Sequence, residues 1–160
     1  WLQFHKKHSG RASVTYAEAL DVALCYGWID GQLRPYDGAS WLRRFTPRRK
    51  RSVWSKRNTE HVARLRADGK MRAAGLSEVE DAMADGRWQA AYDSAGSLQV
   101  PADFLAALSR NSKAKAFFGT LSKANRYAIA WRLQTARKPE TRERRMAVLL
   151  AMLARGEKFH

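Results

Sequence analysis

Apolar residues recur at helical spacing through most of this sequence and lose that spacing in two places, which restricts the chain to a largely helical fold with a small sheet. In the last third, Phe104, Leu105 and Leu108 follow Pro101. Ala124, Tyr127, Ala128 and Trp131 then recur at i, i+3, i+4 and i+7, and Met146, Leu149, Leu150 and Leu153 repeat the pattern after Pro139. Such a stripe buries one side of a helix and leaves the other to water. Earlier, Tyr16, Ala19, Leu20, Ala23 and Leu24 share a face. Thr15 and Glu18 have capping-box spacing, and Gly27 suits a helix end. Val62 and Leu65 mark a helix capped by Ser55 or Asn58 and ending at Gly69. Ser77 and Glu80 form a second box expected to open a helix that stops near Gly86. Ser112 and Ser122 are further candidate caps, and Pro101 and Pro139 suit first helical positions.

The exceptions are the N-terminus and the window Trp28 to Pro47. Trp1 to Lys7 alternates bulky and polar residues. Trp28 to Arg34 and Trp41 to Thr46 read as strands, with turn-forming Pro35, Asp37 and Gly38 between them. The expected fold is α+β and mostly α-helical: a small N-terminal β-hairpin or three-stranded sheet with helices, followed by a C-terminal helical bundle. We expect an N-terminal α+β unit with a basic hairpin over 1–90 and a C-terminal helical unit over 98–160, or one compact domain holding both. The boundary falls between Gln89 and Val100, where Ser94, Gly96 and Ser97 cluster.

Charge narrows the partners. Lysines and arginines number 30 against 15 acids, a net +15, so the chain is drawn to nucleic acid, phosphate ligands, acidic protein surfaces or anionic headgroups. The one cysteine, Cys25, has no partner for an internal disulfide. No apolar run approaches the roughly 20 residues that span a bilayer, so no membrane insertion is expected, and a cytoplasmic setting is. The chain opens at Trp1 without Met, and a short preceding segment is expected in the full-length protein.

The most distinctive stretch is Trp41 to Asn58. Arg43, Arg44, Arg48, Arg49, Lys50, Arg51, Lys56 and Arg57 supply eight cations with no acid among them, interleaved with Trp41, Phe45 and Trp54. Guanidinium groups bind phosphate oxygens in forked pairs. Aromatic faces stack bases or hold cations, and a helix beginning near Ser55 would aim free amides at the same place. The candidate anion-binding residues are Arg48, Arg49, Arg51, Trp54, Ser55, Lys56, Arg57 and Asn58, with Arg126 added from a second basic set. That set places Arg126 and Arg132 beside Tyr127 and Trp131, and Arg142, Arg144 and Arg145 early in the last helix. The plainer account makes the aromatics core, the first cations solvated and the second set an ion-pair network.

Catalytic arrangements are sparse. Cys25 lies in an apolar run and reads as a small buried hydrophobe. No partner is evident for His61, and Asp30 reads as a turn residue. His5 and His8 lack further ligands for a metal. With no phosphate-binding glycine loop, dinucleotide fingerprint, zinc-finger spacing or serine elbow, neither cofactor nor metal is expected.

Four stretches together carry a resemblance. They are Tyr16 to Gly31, containing Gly27-Trp-Ile-Asp-Gly; Arg44 to Asn58; Asp85 to Tyr92; and the tail from Leu121 to Arg145. In this order they resemble the YdeI/OmpD-associated (OmdA) family, the bacteriocin-protection proteins. The resemblance implies a link to antimicrobial-peptide resistance and to association with an outer-membrane porin. It brings no reaction, cofactor or catalytic residue. The leading expectation is a non-enzymatic binding protein with a basic surface for a phosphate-rich partner. Nucleic-acid binding, a protein–protein adaptor and an unrecognised enzyme with Asp30, Cys25 or His61 in one pocket remain open.

Overall fold

The computed structural model describes residues 1–93 and 99–159. Ser94, Gly96 and Ser97, expected to mark a boundary, lie outside the described residues. Contacts divide the chain into two compact units, Trp1–Ala91 and Tyr92–His160.

In the first unit, β1 (Leu2–His5), β2 (Trp28–Pro35) and β3 (Ser40–Pro47) form a three-stranded antiparallel sheet in the order β1-β3-β2. The hairpin is closed by Asp37, whose Oδ1 accepts from the Ala39 amide at 2.8 Å and from Ser40 Oγ at 2.7 Å. Phe4 lies opposite Trp41, and their rings stack at 4.5 Å between centroids. The β2–β3 register shifts between Asp30 and Leu33, a bulge that holds Gly31.

Helix α1 (Tyr16–Cys25) has the expected capping box: Thr15 Oγ1 accepts from the Glu18 amide, and Glu18 accepts from the Thr15 amide at 2.7 Å. Gly27 then turns the chain into β2 at φ +74°. A Cβ there would meet the Ala74 carbonyl oxygen at 3.0 Å, so glycine serves both the turn and the packing. Helix α2 (Lys56–Ala67) is capped by Ser55, whose Oγ accepts from the Asn58 amide at 3.2 Å.

Helix α3 (Ala73–Ala84) departs from expectation. Ser77 lies inside it and opens nothing. The start is fixed instead by backbone contacts: the Arg72 amide donates to the Cys25 carbonyl at 3.1 Å, and Gly75 sits against the end of α1. Leu20, Leu24, Trp54, Val62, Leu65 and Val79 form this unit's core, with Trp88 tilted against Trp54 at 5.0 Å.

The second unit contains α4 (Ala102–Ser109), α5 (Ser112–Thr120), α6 (Lys123–Gln134) and α7 (Pro139–Ala154). Pro139 occupies the first turn of α7 as expected, and Ser122 caps α6, accepting from the Asn125 amide at 3.3 Å. Pro101 takes the cap position of α4 and not its first helical one. Asn111, not Ser112, caps α5, accepting from the Ala114 amide at 3.0 Å. The buried face of α6 is also rotated from the expected stripe. Asn125, Ala128, Ile129 and Leu133 are buried, while Tyr127 and Trp131 are only half-buried. Asn125 faces inward because its polar groups are met there: Nδ2 donates to Ser122 Oγ at 3.1 Å, and Oδ1 accepts from the Phe159 amide at 3.1 Å. Phe104, Leu108, Ile129, Leu133, Leu149 and Leu153 fill this core.

Candidate functional site

The basic stretch leaves β3 at Pro47 and loops into α2. Its first arginine turns inward. The Arg48 amide donates to the Gly27 carbonyl at 3.0 Å, and its guanidinium lies 3.4 Å from the centroid of the Trp54 ring. Arg48 Nη1 also donates to the Val53 carbonyl at 3.3 Å. Arg48 is 6% exposed and Trp54 2%. This corrects their expected place in a ligand surface: Trp54 is among the largest fully buried side chains of the first unit, and Arg48 covers it as a desolvated cation over a ring. No base or ligand ring reaches that indole face.

Ser52 closes a tight turn, its Oγ accepting from the Arg49 amide at 2.9 Å and its amide donating to the Arg49 carbonyl at 2.8 Å. The buried Arg87 donates to the Ser52 carbonyl at 3.2 Å and to Asp85 Oδ2 at 2.6 Å. The loop is thus clamped from beneath, and Arg49, Lys50 and Arg51 are exposed on it. Lys56 and Arg57 follow, exposed on the first turn of α2, with Arg57 6.0 Å from the Tyr16 ring centroid. Among the described residues, Arg49, Lys50, Arg51 and Arg57 pair with no carboxylate. Ser55 and the buried Asn58 serve the helix start. Arg126 belongs to the second unit, where it donates to the Gly119 carbonyl at 2.9 Å and lies over Phe118.

Two polar clusters went unrecognised in the sequence. Asp30 is a strand residue, not a turn residue. It accepts from Tyr16 Oη at 2.7 Å and pairs with Arg43. Burial, reinforced by the Asp30 carboxylate, pushes the Tyr16 phenol above its ordinary pKa. The second cluster gives His61 its partner: Nδ1–H donates to Asp21 Oδ1 at 2.7 Å, while Arg64 donates to Asp21 Oδ2 at 2.6 Å. Burial pushes the Asp21 carboxyl up, but the hydrogen bonds from His61 and Arg64 outweigh it and hold the group below the usual carboxylate range. One signal was readable: His61 and Arg64, three apart, share a helical face. Nothing local announced that Asp21 of α1 would meet them.

Asp30, Cys25 and His61 make no hydrogen bond to one another. Burial, then the Asp21 carboxylate, raises the Cys25 thiol pKa and disfavours a thiolate. Among the described residues no group of three His, Cys, Asp or Glu could hold a metal ion. No helix among them is long and apolar enough to cross a membrane.

Cavities are lined by residues outside the basic loop. A groove of about 650 Å³ in the first unit has an apolar wall of Trp1, Val14, Val22, Tyr26, Trp28 and Phe45. A second, of about 410 Å³, includes Asp21, Cys25, Lys70 and Arg72. A third, of about 310 Å³, lies in the second unit and is bordered by Arg132, Arg144 and Arg145.

Residues 97–156 match the family model described as bacteriocin-protection, YdeI or OmpD-associated. Residues 1–78 match a different model, described as a domain of unknown function (DUF8412). The motif around Trp28 and the basic stretch to Asn58 therefore fall within the second match and outside the first. No curated protein and no solved structure matches the chain.

Proposed function

We propose that this chain, whose residues 97–156 form a domain of the bacteriocin-protection, YdeI or OmpD-associated family, is a non-enzymatic binding protein that holds a phosphate-rich partner on the cations between Arg49 and Arg57. The observation that carries this reading is the exposure of Arg49, Lys50, Arg51 and Arg57 without carboxylate partners on a loop clamped from beneath. Guanidinium groups on a loop whose backbone is already held meet phosphate oxygens with little backbone ordering cost. With Trp54 buried, recognition runs through charge and not through base stacking, so the partner is defined by its phosphates. Direct capture of cationic peptides is opposed by the chain's own +15. Under this reading, protection acts through an anionic partner.

The test is fluorescence anisotropy with a labelled single-stranded oligonucleotide, competed by inorganic polyphosphate. R49E/R51E/R57E is set against R110E/K113E/K115E, which alters net charge equally in the other unit. The reading expects polyphosphate to compete at matched phosphate concentration, and the first variant to lose at least tenfold more affinity than the second. Absence of binding, or equal loss in both variants, overturns it.

A further inference from the structure

The second unit carries an arginine-lined cavity that the surface between Arg49 and Arg57 does not involve. It opens among α6, α7 and the segment ending at Phe159, with about 310 Å³ bordered by Trp131, Arg132, Arg144, Arg145, Val148 and Phe159. That volume is at the small end of ligand pockets. Its wall combines aromatic and aliphatic surface with three arginine side chains, and among the described residues no acidic side chain lines it.

Charge pairing divides along the same boundary. Arg142, on α7, pairs with Asp103, and Arg155, just beyond α7, pairs with Glu157. Among the described residues, Arg132, Arg144 and Arg145 pair with no carboxylate. Two of them are fixed without counterions. Arg145 Nη1 donates to the Arg132 carbonyl at 2.7 Å, and the Arg132 guanidinium lies 3.9 Å from the Phe159 ring centroid. Trp131 is held edge-on by Tyr92 at 6.0 Å. Arg144 and Arg145 both lie in the second turn of α7. Like charges gathered here repel one another, and an anion entering the cavity removes that cost. The apolar wall beside them asks for more than a bare ion.

We propose that this cavity binds a small amphipathic anion: a carboxylate or phosphate that meets Arg144 and Arg145, on an apolar or aromatic body that lies against Trp131, Val148 and Phe159.

Isothermal titration calorimetry on the whole chain tests this with 1-naphthoate, 1-naphthyl phosphate, neutral 1-naphthylmethanol and inorganic phosphate. At least one naphthyl anion is expected to bind, and which one binds more tightly identifies the head group. The neutral analogue and bare phosphate are expected to bind at least tenfold more weakly. Arg145→Gln removes a structural hydrogen bond as well as a charge, so Arg144→Gln, at an exposed position, is the companion variant. Each is expected to weaken the anion at least fivefold. Val148→Trp, which narrows the opening and leaves every cation in place, is expected to do the same, while Lys113→Gln, exposed on α5, leaves binding unchanged. Equal binding of the neutral compound, equal binding of inorganic phosphate, no binding of either naphthyl anion, or wild-type binding by both Arg144→Gln and Val148→Trp overturns the proposal.

Discussion

Trp54 stands among cations in the sequence, and nothing within that segment says which way it faces. Residues 48–55 follow neither the two-residue period of a strand nor the 3.6-residue period of a helix. Only the packed structure shows the indole in the core beneath Arg48. Trp54→Ala is therefore expected to cost about 3–5 kcal/mol by chemical denaturation, while Arg51→Ala stays within about 0.5 kcal/mol. Near-equal values would return Trp54 to the surface. Asp21 shows the same limit. Its partners lie on another helix, so its role was not legible, and its carboxyl is held below the ordinary range by His61 and Arg64 against the opposing effect of burial. The unfolded chain thus binds this proton at a higher pH than the folded one. The resulting stability is present above the unfolded value of about 4 and is lost as pH falls through the folded value. Asp21→Asn should lower stability at neutral pH, and its difference from wild type should shrink between about pH 5 and pH 2 in thermal melts. A pH-independent difference would show that the two bonds do not bias the carboxyl.

At the scale of elements, boundaries set by local chemistry were readable and those set by contact were not. Thr15 with Glu18, Ser55, Ser122 and Pro139 act where their chemistry places them. The start of α3 was misplaced at Ser77 because its cause is a close approach: a Cβ on Gly75 would lie 2.3 Å from the Cys25 carbonyl oxygen. Backbone that close cannot give way cheaply. Gly75→Ala should cost roughly 2–3 kcal/mol. Gly119→Ala, in α5 with nothing near a new Cβ, should be neutral or stabilise by up to about 1 kcal/mol. A urea denaturation midpoint for Gly75→Ala no lower than that of Gly119→Ala would separate the α1–α3 contact from stability. The buried face of α6 was misjudged for a related reason. A polar Asn125 with inward partners counts as core, and an apolar count cannot see that.

Across the whole molecule, the alternation of strand-like and helix-like segments was enough to give an α+β chain with a three-stranded sheet followed by helices. The excess of cations was equally plain, but its division was not. Arg48 and Arg87 support the core, Arg43 neutralises Asp30, and Arg49, Lys50, Arg51 and Arg57 face water. The account depends on those last residues meeting phosphate directly and releasing its counterions. The most direct measurement is the salt dependence of single-stranded oligonucleotide affinity for wild type and for R49Q/R51Q/R57Q. The slope of log affinity against log salt should become shallower by about two to three in the variant. An unchanged slope would mean that these arginines do not touch the phosphates.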